Sequence, residues 1–174
     1  ARDDAWGGSD FTFGDVTLRK PKHDNHELLG KTKFAGCLGV MKDVKRNKYT
    51  QNAKIEADCS VDGKEVYKLK STANTANWWY DHRISLIDAK TFADYRTEYF
   101  KGGKHIKTID RSWVSANLDD PRASYWGYWY GKTNTTGHET MAFIPSTITK
   151  VNHKYKAKNL WSTRTLKKMP KKIK

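Results

Sequence analysis

Three short stretches set a histidine beside an acid or a base: "HDNHE" with His23, His26 and Glu27, "DHR" with Asp81, His82 and Arg83, and "GHE" with His138 and Glu139. The chemistry open to such groups is proton transfer next to a phosphate. A ribonuclease-type hydrolase needs a general base, a general acid and a cation on the phosphoryl oxygens, and His82, Arg83, His138 and Glu139 are of those types. Six histidines in a polar chain produce such neighbours by chance, so surface or structural histidines are the plainer reading. His23 and His26 could begin a metal site, but a strand or loop gives no reason for a third ligand nearby. No CxxC, HExxH, GxSxG or glycine-rich phosphate loop occurs. The expectation is therefore no metal and no cofactor.

A second kind of chemistry lies in the charge. After Glu139 there is no acidic residue, while Lys150, Lys154, Lys156, Lys158, Arg164, Lys167, Lys168, Lys171, Lys172 and Lys174 follow, ten positives against a net charge of +14. A block so one-sided repels itself unless it faces an anionic partner or hangs in solvent. From Thr149 to Lys158 the lysines alternate with Thr149, Val151, His153, Tyr155 and Ala157, as a comb on one face of a strand would; guarding an edge strand is the competing use. Only eight of the 33 basic residues are arginine, so bidentate reading of bases is disfavoured, and any contact with nucleic acid would be nonspecific.

Aromatics are the third resource. "NWWYDHR" places Trp78 and Trp79 together, and "YWGYWYG" puts five rings into residues 125–131. On a strand, adjacent side chains point to opposite faces, so one of each adjacent pair would face away from a given core. Trp126, Tyr128 and Tyr130 form the continuous face and suit a core. Tyr125 and Trp129, with Gly127 between them, are left with Trp78 and Trp79 as candidates for contact with a ligand or a membrane interface.

These groups must be held by strands, because most segments alternate with period two and few carry a helical stripe. Ala53–Val61 reads as a strand turning at Asp62-Gly63 into "KEVYKLK". A second hairpin turns at Gly102-Gly103 and sets Glu98 opposite Lys107, with a helix over 88–100 as its competitor. "FTFGDVTLR", "KFAGCLGVM", "ISLI" and "TMAFI" add short strands. Cys37 and Cys59 fall in two such segments and suggest one disulfide, stabilising by roughly 3 kcal/mol. Asn134-Thr135-Thr136 is a glycosylation sequon that decides nothing.

The expected architecture is an all-β or β-rich α+β single domain, an antiparallel β-sandwich or partly closed barrel with a basic C-terminal arm. Residues 1–9 form a loosely held lead that Trp6 could anchor, 10–158 the β-rich domain and 159–174 the basic tail. No apolar run approaches the roughly 18 residues that span a bilayer. An N-terminus at Ala1 fits a secreted, extracellular protein after signal removal, or a trimmed chain. The functional expectation is a secreted protein without catalytic activity that binds anionic lipid or a cell-wall polymer as a toxin or antimicrobial factor. A nuclease or ribotoxin-like enzyme and a carbohydrate-binding module are the alternatives.

Overall fold

The structure, a computed structural model, describes residues 4–17, 19–44, 51, 56–146, 149 and 162–166. Seven strands follow one another as an antiparallel meander in a single sheet: β1 Asp24–Lys33, β2 Glu65–Ala73, β3 His82–Asp88, β4 Asp94–Lys101, β5 Lys104–Ser115, β6 Ser124–Thr133 and β7 Glu139–Phe143. The β-rich antiparallel class read from the sequence holds. The strands lie in one sheet that does not close into a barrel, and irregular segments cover its two faces.

The Gly102-Gly103 hairpin forms as expected, and both glycines take positive φ, which a tight two-residue turn requires. The competing helix over 88–100 is absent, since β3 ends and β4 begins within that span. The expected register slips by one residue. Ile106 is left unpaired, so Lys107 faces Tyr99 and Glu98 faces Thr108. A bulge of this kind carries Lys107 onto a face where it is buried.

Three expected strands are corrected. β2 pairs with β1, a strand over "DNHELLGKTK" that the sequence reading did not foresee, whereas 56–61 is not a strand and 53–55 lie outside the described residues. The polar groups of this stretch are used across the sheet instead: the Asp58 amide donates to the Tyr128 hydroxyl at 3.1 Å, and the Asp58 carboxylate accepts from Ser112 Oγ at 2.7 Å. "FTFGDVTLR" holds a one-turn helix, Phe13–Val16, because Thr12 and Asp15 cap it reciprocally. "KFAGCLGVM" leaves the sheet at Lys33 and folds over it, with Gly39 against the Tyr130 ring.

Register shows what each face carries. Arg96, Asp110 and Tyr130 lie in one cross-strand row, and Thr97, Ile109 and Gly131 in the next, so the two rows point to opposite sides. One side, the disulfide face, buries Val66, Tyr95, Tyr128 and Tyr130 under Phe34, Leu38 and Val61. The expected disulfide, Cys37–Cys59, joins the two covering segments, though neither cysteine is in a strand. Asp110 is the tie beneath them: it takes two hydrogen bonds of 2.7 Å from Arg96 and one of 2.6 Å from the Gly39 amide. Burial pushes the Tyr128 hydroxyl up to about 12.

The other side, the strap face, buries Phe11, Tyr80, Tyr99 and Ile109, with Trp78, Trp79, Ile106 and Trp129 packed around them. Its covers are residues 4–17, called the strap below, and the loop 74–81. Trp6 does not anchor the strap: it is 51% exposed, while Phe11 is 1% exposed.

Candidate functional site

The strap face gathers ring faces and cations. Trp79 stacks on Tyr99 at 4.8 Å, and Tyr80 meets both edge-on. Lys107 Nζ lies 4.2 Å from the centre of the Trp79 ring, Arg111 lies 4.3 Å from that of Trp129, and Arg19 lies 4.5 Å from that of Trp78. Contacts of this kind stabilise by about 0.5–2 kcal/mol, more where water is excluded. Strand alternation on β5 produces the arrangement, because Lys107, Ile109 and Arg111 point to one side while Thr108, Asp110 and Ser112 point to the other.

Acids neutralise these cations. Lys107 donates to Asp15 and to the Asp10 carbonyl, Arg111 pairs with Asp94 at 2.9 Å, and Asp24 accepts from both Arg19 and Arg83. Burial pushes the Lys107 ammonium below its ordinary value, and the Asp15 carboxylate opposes that shift. Burial, helped by the Asp15 charge, pushes the Tyr99 hydroxyl well up, so this ring stays neutral. Some donors are nonetheless orphaned: Trp79 Nε1, Trp129 Nε1, Arg83 Nε and the Tyr80 hydroxyl are buried and reach no acceptor among the described residues. Each such group costs about 1–3 kcal/mol unless water or a ligand supplies the missing partner.

The aromatic candidates sit differently from the strand-alternation picture. Trp78 and Trp79 belong to an irregular loop and pack on the same face. In β6 the ladder skips Gly127, which stands unpaired between the Trp113–Trp126 and Ser112–Tyr128 pairs. The skip brings Trp126 within 5.6 Å of Trp129 instead of leaving it with Tyr128 and Tyr130. Trp78, Trp79, Tyr125 and Trp129 are all half-buried. Phe11, Tyr99, Lys107 and Arg111 were missed as site residues. The available signal was "KTIDRS", where a strand would put Lys107, Ile109 and Arg111 on one side and Thr108, Asp110 and Ser112 on the other, so that neither side is plainly core or plainly solvent.

The hydrolase set does not assemble. His82 is on β3 and stacks on Phe100, whereas His138 precedes β7 and pairs with Asp10 at 2.8 Å; four strand spacings separate β3 from β7, about 19 Å. Arg83 is paired with Asp24, and Glu139 accepts from the Tyr130 hydroxyl at 2.6 Å. His26 bonds Ser71 and the Pro21 carbonyl, and no group of three metal-ligating side chains occurs among the described residues. Of the basic residues expected to bind anionic surfaces, Arg164 lies exposed in a one-turn helix, Thr163–Leu166. Lys150, Lys154, Lys156, Lys158, Lys167, Lys168, Lys171, Lys172 and Lys174 lie outside the described residues.

No protein-family model matches the sequence, and no curated protein matches it. Solved structures do resemble the fold. A putative outer membrane lipoprotein-sorting protein domain from Vibrio parahaemolyticus superposes with a TM-score of 0.58 at 15% identity, over 87% of this chain and 54% of its own. A DUF1329 family protein from Desulfovibrio piger gives 0.58 at 11% identity, over 95% and 56%. A LolA superfamily protein from Nitrosomonas europaea gives 0.50 at 13%, over 83% and 57%. The chain spans a little over half the length of each. This likeness overturns the expectation of a toxin or antimicrobial factor, and with it the nuclease and carbohydrate-module alternatives, since the sheet is of the kind found in a lipoprotein-sorting domain.

Proposed function

We propose that this chain is an acyl-binding domain that works outside the cytoplasm, holding the hydrocarbon part of an anionic lipid or of a lipid-modified polypeptide against its strap face. The observation that carries the reading is the bed of Trp79, Tyr99 and Trp129 beside buried donors that lack acceptors among the described residues. Rings supply apolar area, and the indole and guanidinium N–H groups suit ester, amide or phosphate oxygens. A cleft of about 330 Å³ between Trp78, Tyr80, Asn77, Asp81 and Lys101 opens at the margin of this face and offers room for a headgroup. The likeness to a lipoprotein-sorting domain supports the same class of ligand. The Cys37–Cys59 disulfide supports an oxidising compartment.

Titration of the protein with dansyl-undecanoic acid tests the reading. Saturable binding with blue-shifted dansyl emission is expected, with displacement by phosphatidylglycerol or by a diacylated lipopeptide. Displacement by only one of them assigns the source of the acyl group. Absence of saturable binding by probe, lipid and lipopeptide alike overturns the proposal.

A further inference from the structure

The strap is a unit placed on the sheet and not a part of it. Its bridge, Ala5–Thr12, is internal, and its backbone bonds, Trp6 to the Phe11 carbonyl and Phe13 to the Asp4 carbonyl, stay within it. Side chains make the ties to the sheet that involve Asp10 and Asp15. Asp10 accepts from Thr133, Thr140 and His138, and Lys107 reaches the Asp10 carbonyl and the Asp15 carboxylate.

What the strap delivers is one ring. Phe11 lies edge-on to Trp129 at 5.7 Å, among Tyr80, Tyr99 and Ile109. It sits over Gly131, where a Cβ would come within 2.9 Å of the ring. The sheet therefore has a seat made by a missing side chain. That seat adjoins Trp129, whose buried indole N–H has no acceptor among the described residues. A phenyl ring satisfies the packing of such a slot but cannot accept that hydrogen bond, whereas an acyl chain ending in an ester or amide carbonyl can do both.

We infer that the slot filled by Phe11 is the subsite for one acyl chain of the ligand, and that Phe11 is an internal stand-in which the ligand displaces. The inference rests on the acyl-binding reading above and adds to it a location and a competing group. The apparent affinity of the closed protein is lowered by the fraction of molecules whose strap is seated.

Two variants and one measurement on the intact chain test it. Phe11→Ser should bind dansyl-undecanoic acid about tenfold more tightly, because the competitor is gone. Adding Gly131→Val to Phe11→Ser fills the seat from below and should abolish that gain. Hydrogen exchange of the wild type should show faster exchange at amides in residues 4–17 when the probe is bound, with the β4–β6 amides unchanged. Unaltered or weaker binding by Phe11→Ser, in a protein that still melts cooperatively, overturns the inference, as does saturable binding with unchanged exchange over the strap. Either result leaves the acyl-binding reading standing. Failure of every variant to bind any acyl probe removes both.

Discussion

The two faces of the sheet are covered by irregular chain in both cases, yet they are finished differently. On the disulfide face the buried hydroxyls and charges find partners: Tyr95 donates to Asp88 at 2.7 Å, Tyr130 to Glu139 at 2.6 Å, Tyr128 accepts the Asp58 amide, and Asp110 is saturated by Arg96 and Gly39. A covalent bond then joins its covers. On the strap face the rings are as large, but Trp79, Trp129 and Arg83 keep donors without acceptors among the described residues, and the ties of Asp10 and Asp15 to the sheet each run through a side chain on at least one partner. A fully satisfied polar network rigidifies, whereas each buried donor left unpaired costs stability. The contrast divides the sheet into a side whose buried polar groups are paired and a side that carries the proposed acyl-binding bed.

Experiments can break that division, beginning with the largest effect. Asp110→Ala strips two hydrogen bonds from half-buried Arg96 and one from the Gly39 amide, and urea unfolding should register a loss of about 3–4 kcal/mol. Reducing Cys37–Cys59, which closes a separation of 22 residues, should cost about 3 kcal/mol. It should raise hydrogen exchange in residues 34–41 and 56–63 while leaving the strap unaltered; equal loosening of both faces would contradict the division. Gly39→Ala would place a methyl 2.3 Å from the Tyr130 ring, whose hydroxyl is held by Glu139, and should cost about 1–3 kcal/mol. Gly131→Ala on the other face meets Phe11, which rides on the strap and can shift, so its melting point should fall less.

Acid should separate the faces with the smallest effect. Burial alone would raise Asp58 and Asp88, but hydrogen bonds outweigh it: those from Ser60 and Ser112 hold Asp58 below the ordinary carboxylate range, and those from the Thr91 and Lys90 amides and the Tyr95 hydroxyl do the same for Asp88. A folded value below the unfolded one stabilises above the unfolded value, about 3.9, and that contribution is lost as pH falls through the lower folded value. Tyrosine near-ultraviolet signals from the disulfide face should therefore weaken in that range before the sheet melts. An acid titration in which these signals change only together with global unfolding would show that the two carboxylates do not act locally.

Much of the fold was legible where a local signal and the final contact coincide. The Gly102-Gly103 turn and the pairing of Cys37 with Cys59 were legible in residue types alone, whereas the chain turns at Asp62-Gly63 without the hairpin expected there. The errors share one cause. Strict alternation assigned Trp126 to the core row of Tyr128 and Tyr130, put Glu98 opposite Lys107 and sent Trp78 and Trp79 to opposite faces. Single-residue bulges at Gly127 and Ile106 and an irregular loop over 74–81 reversed each of these. The candidate site suffered most, because Lys107 and Arg111 look like solvent lysine and arginine until the strap supplies Asp15 and the β4 end supplies Asp94.

The sequence by itself determined that the chain would be an antiparallel β protein with tight glycine turns and one disulfide, because backbone φ preferences, period-two patterning and cysteine pairing act over a few residues or through a single bond. Tertiary structure alone decided the register, which face each tryptophan joins and which stretches become covers instead of strands. A bulge inserts one residue at a cost set by both strands and by what packs on them, and a buried cation is tolerable only when an acid distant in sequence comes to rest beside it.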